Sequence, residues 1–149
     1  MSIRKIIESD YPAILDIYAR SKLDELRFED KAFELLPLES DRKRYGELKE
    51  SDIYVFEDEG VKAYGALFVS EIRALFVHPD IRGKGIGKQL LEFLLSNIKG
   101  EVNLYVAKTN TPAKNLYKNY GFEVSSEFQT EYNGVSVCAN EMVRTGANA

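Results

Sequence analysis

A glycine-rich run between two apolar segments is the strongest constraint on how this chain can fold. Residues 82–87 read Arg-Gly-Lys-Gly-Ile-Gly and follow an apolar segment at 72–77. Apolar residues then recur at helical spacing, at Ile86, Leu90, Leu91, Leu94, Leu95 and Ile98. This order predicts a strand, a tight turn and a helix. Because the first N–H groups of a helix lack partners and carry partial positive charge, the run predicts an anion site, to which Arg82, Lys84 and Lys88 add charge.

The spacing of these glycines does not fit the two most familiar nucleotide-binding loops. A P-loop has the pattern G-x-x-x-x-G-K-[ST], whereas Gly83 and Gly87 are one residue too close and Gln89 replaces the hydroxyl. A dinucleotide-binding loop has the pattern G-x-G-x-x-G, whereas Gly83, Gly85 and Gly87 give G-x-G-x-G. The pattern [QR]-x-x-G-x-[GA] does fit, with Arg82 as its first residue.

A second motif lies downstream of the glycine run. Residues 110–122 fit the pattern N-x-x-A-x-x-x-Y-x-x-x-G-F. Thr111 is a suitable N-cap, the proline after it suits the first helical position, and Gly121 suits the left-handed residue that ends a helix. Ala113 and Tyr117 are four residues apart, so the predicted helix presents a small residue and a phenol on one face.

Together the two motifs resemble those of the GCN5-related N-acetyltransferases, the GNAT family. The resemblance covers nearly the whole chain, because the element order predicted from periodicity, βααβββαβαββ, is also the family's order. Specific motifs support it over residues 72–122, whereas over residues 20–50 only the general order of elements does. It implies an α+β (mixed α/β), GNAT-like three-layer fold, in which a central mixed, mostly antiparallel sheet of about seven strands is flanked by about four helices. Residues 1–144 would form a single acetyltransferase domain, and residues 145–149 a disordered tail.

The resemblance also implies acetyl-CoA as the co-substrate. The residues implied to bind it are Phe76, Val77, Arg82, Gly83, Lys84, Gly85, Ile86, Gly87, Lys88 and Asn110. Backbone N–H groups of residues 83–88 would face the pyrophosphate, the backbone of Phe76 and Val77 would pair with the pantetheine amides, and Asn110 would lie beside the pantetheine arm. An N–H near Val77 would polarise the thioester carbonyl.

The implied reaction is direct transfer of an acetyl group to a primary amine, since no acyl-carrying nucleophile stands out. Tyr117 is implied as the general acid, because a phenol with a pKa of about 10 can reprotonate a thiolate. Glu71 is a candidate general base, since some family members place a carboxylate there; the alternatives are a solvated turn carboxylate and a reaction that needs no dedicated base. Glu25, Glu29 and Asp30 are weaker candidates.

The sequence contains one histidine and one cysteine, which are too few for a typical zinc site or for a convincing catalytic triad. His78 precedes a proline at a strand end and is interpreted as structural. Cys138 lies in an alternating strand and is interpreted as a packed or partly exposed side chain. We therefore predict neither a metal site nor a catalytic triad.

The composition is that of a globular protein, with 149 residues, 44% of them hydrophobic and 30% charged. A net charge of −4 disfavours a nucleic-acid partner and weakly favours cationic acceptors. No signal peptide or membrane-spanning stretch is recognisable, so we expect a cytoplasmic protein without a membrane partner. A monomer or homodimer is expected, with a small-molecule or peptide amine as acceptor.

Two other functions stay open at this point. A non-catalytic acyl-CoA-binding sensor or regulatory module would need the glycine run, but it would not need Tyr117 as an acid. A nucleotide-phosphate enzyme would use the same run, but the glycine spacing argues against it. The sequence does not distinguish among small amines, antibiotics, protein N-termini and lysine side chains as acceptors.

Overall fold

The computed structural model describes residues 2–146, which form two compact units. The first unit comprises residues 2–21 and 36–97, and the second comprises residues 22–35 and 98–146. Along the described chain, seven strands and four α-helices follow the predicted order βααβββαβαββ. The single domain predicted for residues 1–144 stays a prediction, and part of the predicted tail, residues 147–149, lies outside the described residues.

The first unit holds three helices and four strands. They are α1 (Tyr11–Ser21), α2 (Arg42–Glu50), α3 (Ile86–Ser96), β1 (Ser2–Lys5), β2 (Asp52–Glu57), β3 (Val61–Phe68) and β4 (Glu71–Val77). The strands lie side by side in chain order, and each neighbouring pair is antiparallel. Short 3₁₀ turns occupy Glu8–Asp10, Leu38–Ser40 and Pro79–Ile81. Because consecutive strands pair, short connections suffice between β2, β3 and β4.

Helices α1 and α3 pack on opposite faces of this sheet, as strand alternation requires. Tyr64 faces Phe76 across the β3–β4 pair, and the Tyr18 ring of α1 packs edge-on against Phe76 with 5.5 Å between centroids. The adjacent residue Ala63 points to the other face and joins a second buried cluster. The other buried members of that cluster are Phe56, Ile86 and Leu90. Since the last two belong to α3, the sheet of the first unit has a helix on each face.

A glycine in the middle of β3 makes room for α3. A Cβ built on Gly65 would lie 2.7 Å from Cδ1 of Leu94 and 3.4 Å from the carbonyl oxygen of Ala74. Leu94 is completely buried. Glycine weakens a strand interior, and it is found there where another group approaches the backbone closely. Gly65 therefore allows α3 to pack close to the sheet.

The second unit holds one helix and three strands. They are β5 (Val102–Ala107), α4 (Thr111–Asn119), β6 (Glu123–Tyr132) and β7 (Val135–Arg144). Strand β7 lies between β5 and β6 and is antiparallel to both. At the β6–β7 turn, Asn133 and Gly134 have φ angles of 49° and 82°. Positive φ at both residues is what a type I′ turn requires, and the Asn-Gly sequence favours that turn. A 3₁₀ turn, Lys22–Leu26, begins the other segment of this unit.

Helix α4 begins one residue away from its predicted start. The prediction of Thr111 as N-cap is wrong, because Thr111 is the first helical residue. Asn110 is the N-cap, and its Oδ1 accepts a hydrogen bond from the N–H of Ala113 at 3.4 Å. Both residue types cap helices well, so the sequence alone could not choose between them. Pro112 then lies in the first turn, where its missing N–H costs no intrahelical bond.

Strand β6 is the outermost strand of the second unit, and it is exposed at every residue except Tyr132. Its pairing with β7 shifts register between Val124 and Ser126, which is a β-bulge. The strand also carries glutamates at 123, 127 and 131. Thus an open strand edge is both bent and acidic.

Candidate active site

The glycine loop, residues 82–88, leads from the 3₁₀ turn after β4 into α3. Gly83 and Gly85 have φ angles of +83° and +79°, and Gly85 is the N-cap of α3. Residues with a Cβ rarely adopt this left-handed region. Apart from the adjacent residues in the chain, no described atom lies within 4 Å of a Cβ built on either glycine. These two glycines are therefore needed for the loop's conformation and not for its packing.

The start of α3 presents backbone donors that the described chain does not use. The carbonyl of Gly85 accepts the first helical bond, from the N–H of Gln89 at 3.0 Å. The N–H groups of Ile86, Gly87 and Lys88 donate to no carbonyl within residues 2–146. The buried side chain of Ile86 fixes this first turn against the sheet. The arrangement fits a phosphate or diphosphate held at a helix N-terminus.

The loop is tied to the end of β4 through one carbonyl. Nε of Arg82 donates to the carbonyl oxygen of Val77 at 3.3 Å, and the hydroxyl of Ser21 donates to the same oxygen at 3.3 Å. Lys84 and Lys88 are exposed on the loop. The first unit thus brings together the predicted loop residues and Val77, while the side chain of the predicted Phe76 is buried under α1.

Comparing two glycine-to-alanine changes tests the conformational role of the loop. Gly85→Ala is expected to destabilise the protein by about 1–2 kcal/mol, because alanine must adopt a left-handed backbone. Gly46→Ala, in an open position within α2, is expected to stabilise it by about 0.5–1 kcal/mol, because alanine is the better helix former. Urea unfolding of both variants measures the difference. Equal effects of the same sign would contradict a conformational role for Gly85.

Glu71, the candidate base, is held in an ion pair. Its Oε1 lies 3.3 Å from Nε of Arg73, and Nη1 of Arg73 lies 2.6 Å from Oε2 of Glu50. The Arg73 guanidinium also lies over the Phe68 ring, 4.0 Å from its centroid. The candidate base therefore lies beside a guanidinium that also pairs with Glu50. Sequence reasoning did not identify Arg73, although its spacing of two residues along a strand placed it on the same face as Glu71.

Tyr117 and Asn110 lie on the α4 segment of the second unit. The Tyr117 ring packs edge-on against Phe122, with 5.7 Å between centroids. Burial raises the pKa of the Tyr117 hydroxyl above its ordinary value, and the Glu25 carboxylate raises it further. This phenol therefore carries its proton throughout the neutral range, as an ordinary phenol does. Asn110 is 6% exposed, and its side chain serves as the cap of α4.

The two residues interpreted as structural make local contacts. Nδ1 of His78 accepts a hydrogen bond from the N–H of Asp80 at 3.1 Å and so caps the 3₁₀ turn before the loop. Cys138 is half-buried, and its thiol pKa is raised by burial and by the neighbouring Glu127. Within residues 2–146, no group of three or more His, Cys, Asp and Glu side chains is placed to hold a metal ion. No helix in the same range is long and apolar enough to cross a membrane.

Comparison with known proteins identifies the family. Residues 49–124, which contain the glycine loop and α4, match the model of the acetyltransferase (GNAT) domain. The chain belongs to the GNAT family. It is 30% identical to the peptidyl-lysine N-acetyltransferase YiaC of Escherichia coli, over 82% of this chain and 83% of that one. It is 33% identical to the peptidyl-lysine N-acetyltransferase YjaB of the same organism, over 56% of this chain and 58% of YjaB.

A solved structure with the same fold confirms the predicted fold class. The structure of yncA from Salmonella typhimurium, solved with its cofactor acetyl-CoA, superposes with a TM-score of 0.74 at 20% sequence identity. The superposition covers 100% of this chain and 95% of yncA. The family and the α+β fold were both predicted from the two motifs of the sequence. The assignments of individual site residues stay predictions.

Proposed function

We propose that the chain is an N-acetyltransferase that moves an acetyl group from acetyl-CoA to a primary amine by direct attack in a ternary complex. The observation that carries this proposal is the glycine loop, with two left-handed glycines and unused N–H groups at the start of α3. Its geometry suits the pyrophosphate of coenzyme A. Membership of a family of acetyltransferases supports the same ligand.

Holding the donor is assigned to the loop and to the end of β4. The N–H groups of residues 83–88 would bind the pyrophosphate oxygens, and Arg82, Lys84 and Lys88 would add positive charge. The backbone of Phe76 and Val77 is proposed to pair with the pantetheine amides, and Asn110 to lie beside the pantetheine arm. Because Gly83 and Gly85 are open to solvent, an approaching phosphate would meet backbone and not Cβ atoms.

Acetyl-CoA supplies the acetyl group as a thioester, so attack by a neutral amine nitrogen forms a C–N bond and breaks the C–S bond. The Tyr117 hydroxyl is proposed to donate its proton to the departing sulfur. The amine must lose one proton, and Glu71 stays the predicted acceptor of it. In the free protein this carboxylate pairs with Arg73 through Oε1.

The proposed acceptor is a lysine side chain. The support comes from YjaB and YiaC, both of which are peptidyl-lysine N-acetyltransferases, and from the net charge of −4, which favours cationic partners. The cytoplasmic location and the monomeric or dimeric state stay predictions from the sequence.

Thermal unfolding with acetyl-CoA, CoA, ATP and NAD, each added separately, tests the donor. A ligand at about 100 times its dissociation constant adds about 2.7 kcal/mol, which raises the melting temperature by several degrees. We expect this rise with acetyl-CoA and CoA only. A rise with ATP or NAD alone would instead favour a nucleotide-phosphate enzyme. Binding of acetyl-CoA without CoA release across a panel of amines and lysine peptides would favour the sensor.

A further inference from the structure

The second unit holds a lysine ammonium between a carboxylate and an aromatic face. Lys22 and Glu25 lie three residues apart in the 3₁₀ turn Lys22–Leu26, where side chains at this spacing eclipse each other. Nζ of Lys22 lies 3.0 Å from Oε2 of Glu25 and 5.3 Å from the centroid of the Tyr132 ring. A carboxylate and the face of an aromatic ring are two groups that bind ammonium ions in proteins.

The exposure of the two charged partners is unequal. The Lys22 side chain is 14% exposed, whereas the Glu25 side chain is 38% exposed. Lysine ordinarily extends its ammonium into water, yet here the ammonium is the sheltered partner. The carboxylate is the partner that a dissolved molecule can reach. A second ammonium could therefore approach Glu25 from solvent. Because Tyr132 is only 2% exposed, that ammonium would reach the ring only when Lys22 leaves it.

The segment that carries this pair is fastened to the strands of its own unit. Nζ of Lys31 donates to the carbonyl oxygen of Ser136 at 2.8 Å. Nδ2 of Asn133 donates to the carbonyl oxygen of Glu34 at 3.0 Å. The hydroxyl of Thr109 donates to the Glu29 carboxylate. These contacts hold the later part of the segment, residues 29–34, against β7, the β6–β7 turn and the connection between β5 and α4. The segment that carries Glu25 is thus attached to its unit before any ligand binds.

The charge of Glu25 also acts on the proposed acid. The Glu25 carboxylate contributes, after burial, to the raised pKa of the Tyr117 hydroxyl. A carboxylate disfavours the charged form of a nearby hydroxyl, and this influence weakens with distance. An ammonium bound by Glu25 would thus be held near the hydroxyl that is proposed to protonate the sulfur.

We propose that Glu25 and the Tyr132 ring form the binding site for the acceptor's ammonium group, and that Lys22 occupies this site in the free protein. The ligand class is an unbranched primary ammonium, such as a lysine side chain, because the group that occupies the site in the free protein is the primary ammonium of Lys22. Binding exchanges one ammonium for another and leaves the charge of the site unchanged. Identifying this ligand with the acceptor rests on the proposed function; the site itself does not.

Binding of n-butylammonium at neutral pH, with n-butanol as the uncharged match, tests the site without turnover. NMR titration of the aromatic resonances measures the affinity of the wild type, Lys22→Met and Glu25→Gln. We expect Lys22→Met to bind butylammonium about fivefold or more tightly, because the internal competitor is gone. We expect Glu25→Gln to lose about tenfold or more, because a charge-assisted hydrogen bond is lost. Butanol should not distinguish the variants.

Matched variants separate binding from folding. Lys22→Gln keeps a polar side chain and should bind more tightly than the wild type, as Lys22→Met does; Glu25→Asp keeps the carboxylate and should retain part of the affinity. A purely structural ion pair predicts that both Lys22 variants lose stability and gain no affinity. Unchanged affinity in both Lys22 variants, or full affinity in Glu25→Gln, would overturn the inference.

Acetyl-CoA binding by the same variants keeps the two proposals distinguishable. If acetyl-CoA stabilises the variants but butylammonium affinity does not follow the expected order, this inference fails and the proposed function stands. If the butylammonium order is found but acetyl-CoA and CoA bind to none of the proteins, the ammonium site stands and the proposed function fails.

Discussion

Replacing Tyr117 with phenylalanine is expected to lower the turnover of acetyl transfer by about 100-fold or more, the usual contribution of a positioned general acid. A phenol carries its proton at neutral pH, and burial and Glu25 raise the pKa of this hydroxyl further. Without it, the departing sulfur must leave as a thiolate or take its proton from water. The measurement is kcat for amine-dependent CoA release, with a lysine peptide as acceptor.

Acetyl-CoA binding and a matched tyrosine variant separate a loss of catalysis in Tyr117→Phe from a loss of folding. The phenylalanine ring can still pack edge-on against Phe122, so acetyl-CoA should raise the melting temperature as much as in the wild type. Tyr105→Phe is the matched control, since Tyr105 is an exposed tyrosine that also packs edge-on against a phenylalanine, Phe128. Turnover should be unaffected there. Equal turnover in both variants would remove Tyr117 from the mechanism.

The largest expected effect on folding concerns the close approach of α3 to β3. Leu94→Ala is expected to cost about 3–5 kcal/mol, because it leaves a cavity in the core. Gly65→Ala is expected to cost about 1–3 kcal/mol, because its Cβ would lie 2.7 Å from Cδ1 of Leu94. In the double variant, the new methyl group lies where the leucine atoms were. Its cost should therefore be smaller than the sum of the two single costs.

Urea unfolding of the wild type, both single variants and the double variant measures this coupling. We expect a favourable interaction of about 0.5–3 kcal/mol, as is usual for residues in direct contact. Leu94→Met, which nearly conserves volume, should cost less than about 1.5 kcal/mol. Strict additivity would mean that β3 and α3 move apart to accept the alanine, so that Gly65 does not set their distance.

The features that were predictable from sequence depend on neighbours along the chain. The glycine loop follows a strand and begins a helix within a few residues, so periodicity and glycine spacing were sufficient to predict it. The type I′ turn at Asn133 and Gly134 was predictable for the same reason. The cap of α4 was misplaced by one residue because Asn110 and Thr111 are both good caps, and only the observed hydrogen bond chooses between them.

The features that were not predictable depend on distant contacts. Arg73 pairs with Glu50, which is 23 residues away, as well as with its neighbour Glu71. The ammonium of Lys22 lies over a ring that belongs to Tyr132, and Gly65 is required by a side chain of another element, Leu94. No local pattern encodes these partners. For the same reason, sequence reasoning ranked Glu25 only as a weak candidate base, although its carboxylate acts on Tyr117.

The bent and acidic edge of β6 affects how the protein behaves at high concentration. An exposed strand edge of this length is a template for adding another strand and thus for fibre growth. If two copies paired through β6, the carboxylates at 127 and 131 of each copy, which share one face of the strand, would lie on neighbouring strands, and like charges there repel. The bulge between Val124 and Ser126 would also break the hydrogen-bond register of the added strand. The same strand that completes this unit therefore protects the molecule from self-assembly.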